Sequence, residues 1–240
     1  MAFPQKITQL LEGFLQLVFP PVCLVCQGII QDPNELKIVC TPCLNKIHLV
    51  PPDFTSEQIL ARLNPCHLDQ LEAIFQFDDI VQTIIHQIKY QKADLLARAF
   101  AAYARQSGNN SFFRKEGLVI PVPLFAAREK ERGFNQSHLI ADGFYRGSTN
   151  RVFPQLLVRT RATLTQTELN REKRKKNVAQ AFKIKDEKFI AGKSIIVVDD
   201  VVTTGSTMNE CAQALKNAGA ENVYGLTLAT PIRPEYFTDH

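Results

Sequence analysis

Residues Ile195–Thr207 read IIVVDDVVTTGST. Ile195–Val198 form a β-branched run that is apolar on both faces, the pattern of a strand buried inside a parallel sheet. Asp199 and Asp200 close it. Two adjacent carboxylates repel each other and add nothing to a core. Val201 and Val202 follow, then hydroxyls around one glycine, then a helical pattern, STMNECAQALKNAG, that stops at Gly219. In open α/β sheets ligands bind beyond the carboxyl ends of the strands, which is where the two acids stand. Backbone N–H groups of the loop and of the helix N-terminus can cradle a phosphate. Gly205 allows close approach, and Thr203, Thr204, Ser206 and Thr207 offer hydroxyl donors. Carboxylates one phosphate-length away accept from ribose hydroxyls or attract a divalent cation. The site reads as one for a sugar carrying a 5′-phosphate. The loop lacks both G-x-x-x-x-G-K and G-x-G-x-x-G. A plain capped helix would account for Ser206 or Thr207 but leaves the paired acids and the Thr-Thr-Gly unexplained.

Outward from this loop, strand and helix patterns alternate. LEAIFQFDD predicts a strand from Leu71, and IVQTIIHQIKY and KADLLARAFAAYARQ predict helices. GLVIPVPL predicts a buried strand ended by Pro121 and Pro123, SHLIADGFYR a helix, and NVYGLTLATPI a closing strand. That order predicts an α/β fold, a mostly parallel sheet flanked by helices. With 240 residues and 45% hydrophobic residues the chain has material for a real core.

Four of the six cysteines form two C-x-x-C pairs, Cys23 with Cys26 and Cys40 with Cys43. Each pair places two thiolates within reach of one tetrahedral ion, so the spacing predicts a small zinc ribbon with a structural Zn²⁺. Disulfides and a redox C-x-x-C are the competing readings. The expected boundary puts an N-terminal helix and the ribbon in residues 1–68 and the α/β domain in residues 69–240. Cys66 and His67 make at most half a metal site, and Cys211 reads as a small core residue.

The N-terminus is apolar at helical spacing (Ile7, Leu10, Leu11, Phe14, Leu15, Val18) and ends at Pro20 and Pro21. It has an internal glutamate and no small-residue cleavage site, so it predicts a docking helix rather than a signal peptide, with an interfacial membrane helix as the alternative. No apolar run reaches the roughly 20 residues of a transmembrane helix, and a cytoplasmic location is expected. The net charge of +4 is unevenly placed. Residues 1–70 hold four Lys/Arg against six Asp/Glu, whereas Arg159–Lys176 hold seven bases against two acids. Such a cluster suits phosphates or nucleic acid, and a solvated helix face would show the same pattern.

The acid-plus-hydroxyl loop resembles the phosphoribosyl-pyrophosphate (PRPP) signature of type I phosphoribosyltransferases. VIPVPLFAAREKERGFNQ (Val119–Gln136), RTRATLTQTELNREKRKKNVAQAF (Arg159–Phe182) and IKY (Ile88–Tyr90) narrow the resemblance to the ComF/GntX family of competence-associated proteins. Members carry a zinc ribbon before a phosphoribosyltransferase-like domain, and the resemblance covers nearly the whole chain. This chain lacks the second cysteine cluster of fuller members, retaining only Cys66 there. The family implies Mg²⁺ with PRPP, phosphate contacts on Thr203–Thr207, and ribose contacts on Asp199 and Asp200. By position the resemblance implies Arg128, Lys130, Arg132 and Asn135 as candidates for the pyrophosphate loop, and Gln166, Arg174 and Asn177, which match the family's motif, as candidates for a covering flap. Membership further implies a part in DNA uptake, handling single-stranded DNA.

No acceptor pocket and no catalytic residue can be named from these residues. Three classes stay open: a PRPP-binding protein that handles incoming single strands, a phosphoribosyltransferase acting on an unidentified nitrogenous acceptor, and a scaffold for the proteins of the uptake machinery.

Overall fold

Ile195–Val198 become the middle of β5 (Ser194–Val201), and every side chain from Ile195 to Val198 is buried. A strand without a polar face needs cover on both faces and pairing on both edges. In the computed structural model β5 pairs in parallel with β6 (Asn222–Thr230) on one edge and with β2 (Leu118–Pro121) on the other. The register sets Val197 opposite Ile120 and Gly225. β1 (Gln70–Gln76) joins β6, also in parallel, giving the order β1-β6-β5-β2. The residues described are 19–31, 34, 36–52, 54–90, 94–108, 111–160 and 181–232. The expected N-terminal helix at 7–18 lies outside them.

The mostly parallel sheet with flanking helices is as the alternating pattern predicts. After β1, α1 (Asp79–Tyr90) buries Val81, Ile84, Ile85 and Ile88, one face at i, i+3, i+4 and i+7 spacing. Asp78 accepts from the Val81 N–H at 3.0 Å and starts it. α2 (Asp94–Ser107) meets β1 through stacked rings, Phe75 on Phe100 at 5.4 Å and on Tyr103 at 6.0 Å. α3 (Ala126–Arg132) and α4 (Gln136–Phe144) follow β2. Gly143 of α4 lies so close to α2 that a Cβ there would stand 2.4 Å from the Arg98 carbonyl oxygen. Only glycine fits that approach.

On the other face, Ile195 and Val197 join Met208, Cys211, Ala212 and Leu215 of α5 (Ser206–Asn217) in one core cluster. Cys211 is a fully buried core residue, in line with its reading as a small apolar side chain. β3 (Leu157–Arg159) and β4 (Phe182–Ile184) form an antiparallel pair beside this cluster. The residues between them, 161–180, lie outside those described, and Gln166, Arg174 and Asn177 with them.

The chain divides into two compact units, residues 1–47 and 48–240. Within the second, the segment before β1 runs along the sheet. Val50 donates to the Ile74 carbonyl at 2.9 Å, and the Thr55 hydroxyl donates to the Leu71 carbonyl. The first unit has little regular structure among its described residues. It holds a Val22–Ile29 antiparallel bridge, a helical turn at Thr41–Leu44, and buried Leu36 and Val39.

Candidate functional site

β5 carries its apolar run to the sheet's edge and delivers Asp199 and Asp200 at its carboxyl end. The two acids are held differently. Asp199 Oδ1 accepts from the Ser137 hydroxyl at 2.7 Å and from the Asp200 N–H at 2.9 Å. Asp200 is 6% exposed, and its Oδ2 stands 2.5 Å from Lys89 Nζ. Desolvation, and then the Asp200 charge, push the Asp199 carboxyl up to about 8 against the pull of the Ser137 hydroxyl and the Asp200 N–H. Lys89 and Ser137 come from the ends of α1 and α4, both aimed at the sheet's carboxyl edge. A cation and a hydroxyl donor offset the repulsion that the sequence leaves unexplained.

Past the acids the chain turns through Thr203 and Thr204 to Gly205, which has φ 74° and sits at the N-cap of α5. Left-handed backbone is one reason for glycine at this position. The other is packing, since a Cβ there would stand 2.8 Å from Ile59 Cγ2. No side chain caps α5. Ser206 and Thr207 fall inside the helix, and the Ser206 N–H leans on Thr204 Oγ1 at 3.4 Å. The remaining first-turn N–H groups and the exposed hydroxyls of Thr203, Thr204, Ser206 and Thr207, with Thr204 and Ser206 sharing a 2.9 Å hydrogen bond, therefore gather donors at the positive end of a twelve-residue helix. Asn209, in the next turn, binds the segment before β1. Its Oδ1 accepts from the His67 N–H at 2.7 Å and its Nδ2 donates to the Pro65 carbonyl at 2.9 Å.

The loop residues after β2 are spread over three situations. Arg128 and Lys130 are exposed on α3. Arg132 donates to Gln136 Oε1 at 2.8 Å and lies over the Tyr90 ring, 5.4 Å from its centroid. Asn135 is the N-cap of α4. Its Oδ1 accepts from the Ser137 N–H and its Nδ2 donates to the Val122 carbonyl, both at 3.0 Å. Asn135 thereby sets the start of α4 and aims Ser137 at Asp199. Nothing in the sequence marks a role for Lys89, Ser137 or Tyr90. The available signals are a lysine flanking an apolar helical stripe and a serine two residues after the Asn cap of a helix. A separate cavity of about 190 Å³ between β4 and α5, lined by Lys183, Glu210, Gln213 and Asn217, includes neither the acids nor the hydroxyl loop.

In the first unit the sulfurs of Cys23, Cys26, Cys40 and Cys43 all lie within 4.8 Å of one another. Cys26 Sγ and Cys40 Sγ are 3.7 Å apart. Four sulfurs at 2.3 Å from one tetrahedral zinc stand about 3.8 Å apart, so the donor set fits that ion. Burial raises the Cys23 thiol, but hydrogen bonds from the Cys26, Cys40 and Val25 backbones outweigh it and bring it down to about 6. Cys43, in the same cluster, is pushed by burial and neighbouring sulfurs up to about 12. Cys66 lies outside the cluster and is exposed.

Among the described residues no helix is long and apolar enough to cross a membrane. A family model described as a phosphoribosyl transferase domain matches residues 146–239. The chain is similar to the DNA utilization protein YhgH of Escherichia coli O6:H1, 34% identical over 158 residues, covering 64% of this chain and 69% of that protein. It is 32% identical over 208 residues to the protein of the same name from Salmonella typhimurium, with 84% and 87% covered. Against the competence protein ComFC of Bacillus subtilis it is 25% identical over 247 residues, with 86% and 94% covered.

Proposed function

The chain belongs to the ComF family of competence-associated proteins with a phosphoribosyltransferase fold, and from that premise we propose that it is a PRPP-binding protein acting in DNA uptake and use. The observation that carries this reading is the pairing of Asp199 and Asp200, at the carboxyl end of β5, with the uncapped hydroxyl loop at the head of α5. The loop from Thr203 to Thr207 takes the 5′-phosphate, and the acids take the ribose hydroxyls. Arg128, Lys130 and Arg132 supply positive charge for the pyrophosphate. Mg²⁺ bound with the ligand would balance the diphosphate charge, and the acid pair is its nearest protein anion. Cys23, Cys26, Cys40 and Cys43 hold a structural zinc. The protein works in the cytoplasm, where imported single strands arrive.

Single-stranded DNA is the macromolecular partner of this reading, supported by the names of the relatives and by the basic residues of Arg159–Lys176. Affinity for an oligonucleotide should fall with salt, with a log–log slope of about −0.7 per phosphate neutralised. Replacing Lys173, Lys175 and Lys176 by Gln should flatten the slope by about two units while sparing PRPP binding. An unaltered slope would place the strand elsewhere on the protein.

The raised Asp199 carboxyl makes stability depend on pH. Between about pH 4, the ordinary aspartate value, and about pH 8 the folded chain holds a proton that the unfolded chain has released. Stability from such a group is full below the unfolded pKa and is lost as pH rises through the folded one. Asp199→Asn removes the ionisation. Its melting temperature should exceed that of the unaltered protein at pH 8.5, and the gap should close by pH 5. A gap of equal size at both pH values would show that Asp199 does not titrate in this range.

A further inference from the structure

α1 ends with Ile88, Lys89 and Tyr90, and the three side chains go three ways. Ile88 is buried in the core, Lys89 reaches Asp200, and Tyr90 is 64% exposed beneath the Arg132 guanidinium. The Lys89 ammonium is 2.5 Å from Asp200 Oδ2, the carboxylate oxygen that has no other partner among the described residues. That oxygen is buried under the ion pair, so a ribose hydroxyl or a ligand-borne cation that draws on the Asp200 carboxylate competes with Lys89 for one negative charge.

Once displaced, an ammonium on a half-buried side chain needs another anion or water. Position favours the anion. Tyr90, next in the chain, touches Arg132 at the end of α3, the helix that presents Arg128 and Lys130. The end of α1 therefore meets the acid pair through Lys89 and the basic helix through Tyr90. Ser137 keeps Asp199 engaged from the opposite helix, so Asp200 is the acid that changes partner.

We propose that Lys89 is a pyrophosphate-binding residue held on Asp200 until ligand arrives, so that the site selects phosphoribosyl ligands carrying a diphosphate over ribose 5-phosphate. A ligand lacking the diphosphate breaks the Lys89–Asp200 pair without giving Lys89 a new partner. A ligand that carries it exchanges one ion pair for another. The proposal rests on the phosphoribosyl reading of the acid pair and hydroxyl loop, and extends it to a residue outside both.

Calorimetric titration with PRPP and with ribose 5-phosphate, each in Mg²⁺ at pH 8, tests it on the full chain and on its Lys89→Met and Lys89→Arg variants. The unaltered chain should prefer PRPP. Lys89→Met should lose about ten- to a hundred-fold in PRPP affinity, the worth of a hydrogen bond to a charged group, and bind ribose 5-phosphate as well as before or better. Lys89→Arg should keep most of the preference. Lys89→Met binding PRPP as tightly as the unaltered chain, or losing both ligands equally, would overturn the proposal and leave Lys89 a structural counter-ion. Binding of neither ligand by the unaltered chain would instead remove the phosphoribosyl reading itself, and this inference with it.

Discussion

Replacing Asp199 and Asp200 together by Ala is expected to weaken PRPP binding in Mg²⁺ by about a hundred-fold or more, with the fold intact. Each carboxylate offers charge-assisted bonds of about 1.5–3 kcal/mol, and 1.4 kcal/mol is a factor of ten. The fold should survive because the acids lie at the open end of β5, beyond its buried run of Ile195–Val198. Removing them takes away the desolvation and mutual repulsion that hold Asp199 up at about 8 but also leaves half-buried Lys89 without its carboxylate, so the two effects should largely offset and the melting temperature should change little. Sites built for ligands commonly carry such a stability cost. Unchanged affinity would make the pair a structural feature and send the search for a ligand site elsewhere.

Zinc is the second large effect. The first unit spans residues 1–47, and its described part has one bridge, one helical turn and few buried apolar side chains. So small a unit gains too little from burial to hold together without a cross-link or a metal. Metal analysis should find about one zinc per chain, matching one closed four-thiolate site. Cys40→Ser should lose that zinc and raise hydrogen exchange throughout residues 19–47, while residues 48–240 keep their protection. Full zinc occupancy in Cys40→Ser would remove Cys40 from the ligand set.

The ribbon was legible because two C-x-x-C pairs fix their own local geometry. The parallel sheet was legible because apolar strand runs alternate with amphipathic helices such as Asp79–Tyr90. Strand order was not, since β1, β2 and β6 read alike as apolar runs and only packing places β6 between β1 and β5. The acids and the hydroxyl loop stood out as local chemistry, yet their surroundings did not. Lys89 and Ser137 meet them from helices far away in sequence, and nothing in IKY or in NQSH announces a carboxylate partner. Asn135 illustrates the converse: its position predicts a ligand contact, and the structure commits both ends of its amide to the backbone. The sequence explains Gly205 by close approach to a phosphate, and the crowding by Ile59 emerges only once the segment before β1 is folded.

A calorimetric titration of the full chain with PRPP, run once in Mg²⁺ and once in EDTA, asks whether the acid pair and the hydroxyl loop hold a phosphoribosyl ligand. Saturable binding of one PRPP per chain in Mg²⁺, weakened at least about tenfold in EDTA, is the expected result. No measurable binding of PRPP at millimolar concentration in Mg²⁺ would contradict the claim that Asp199, Asp200 and the loop from Thr203 to Thr207 form a phosphoribosyl site.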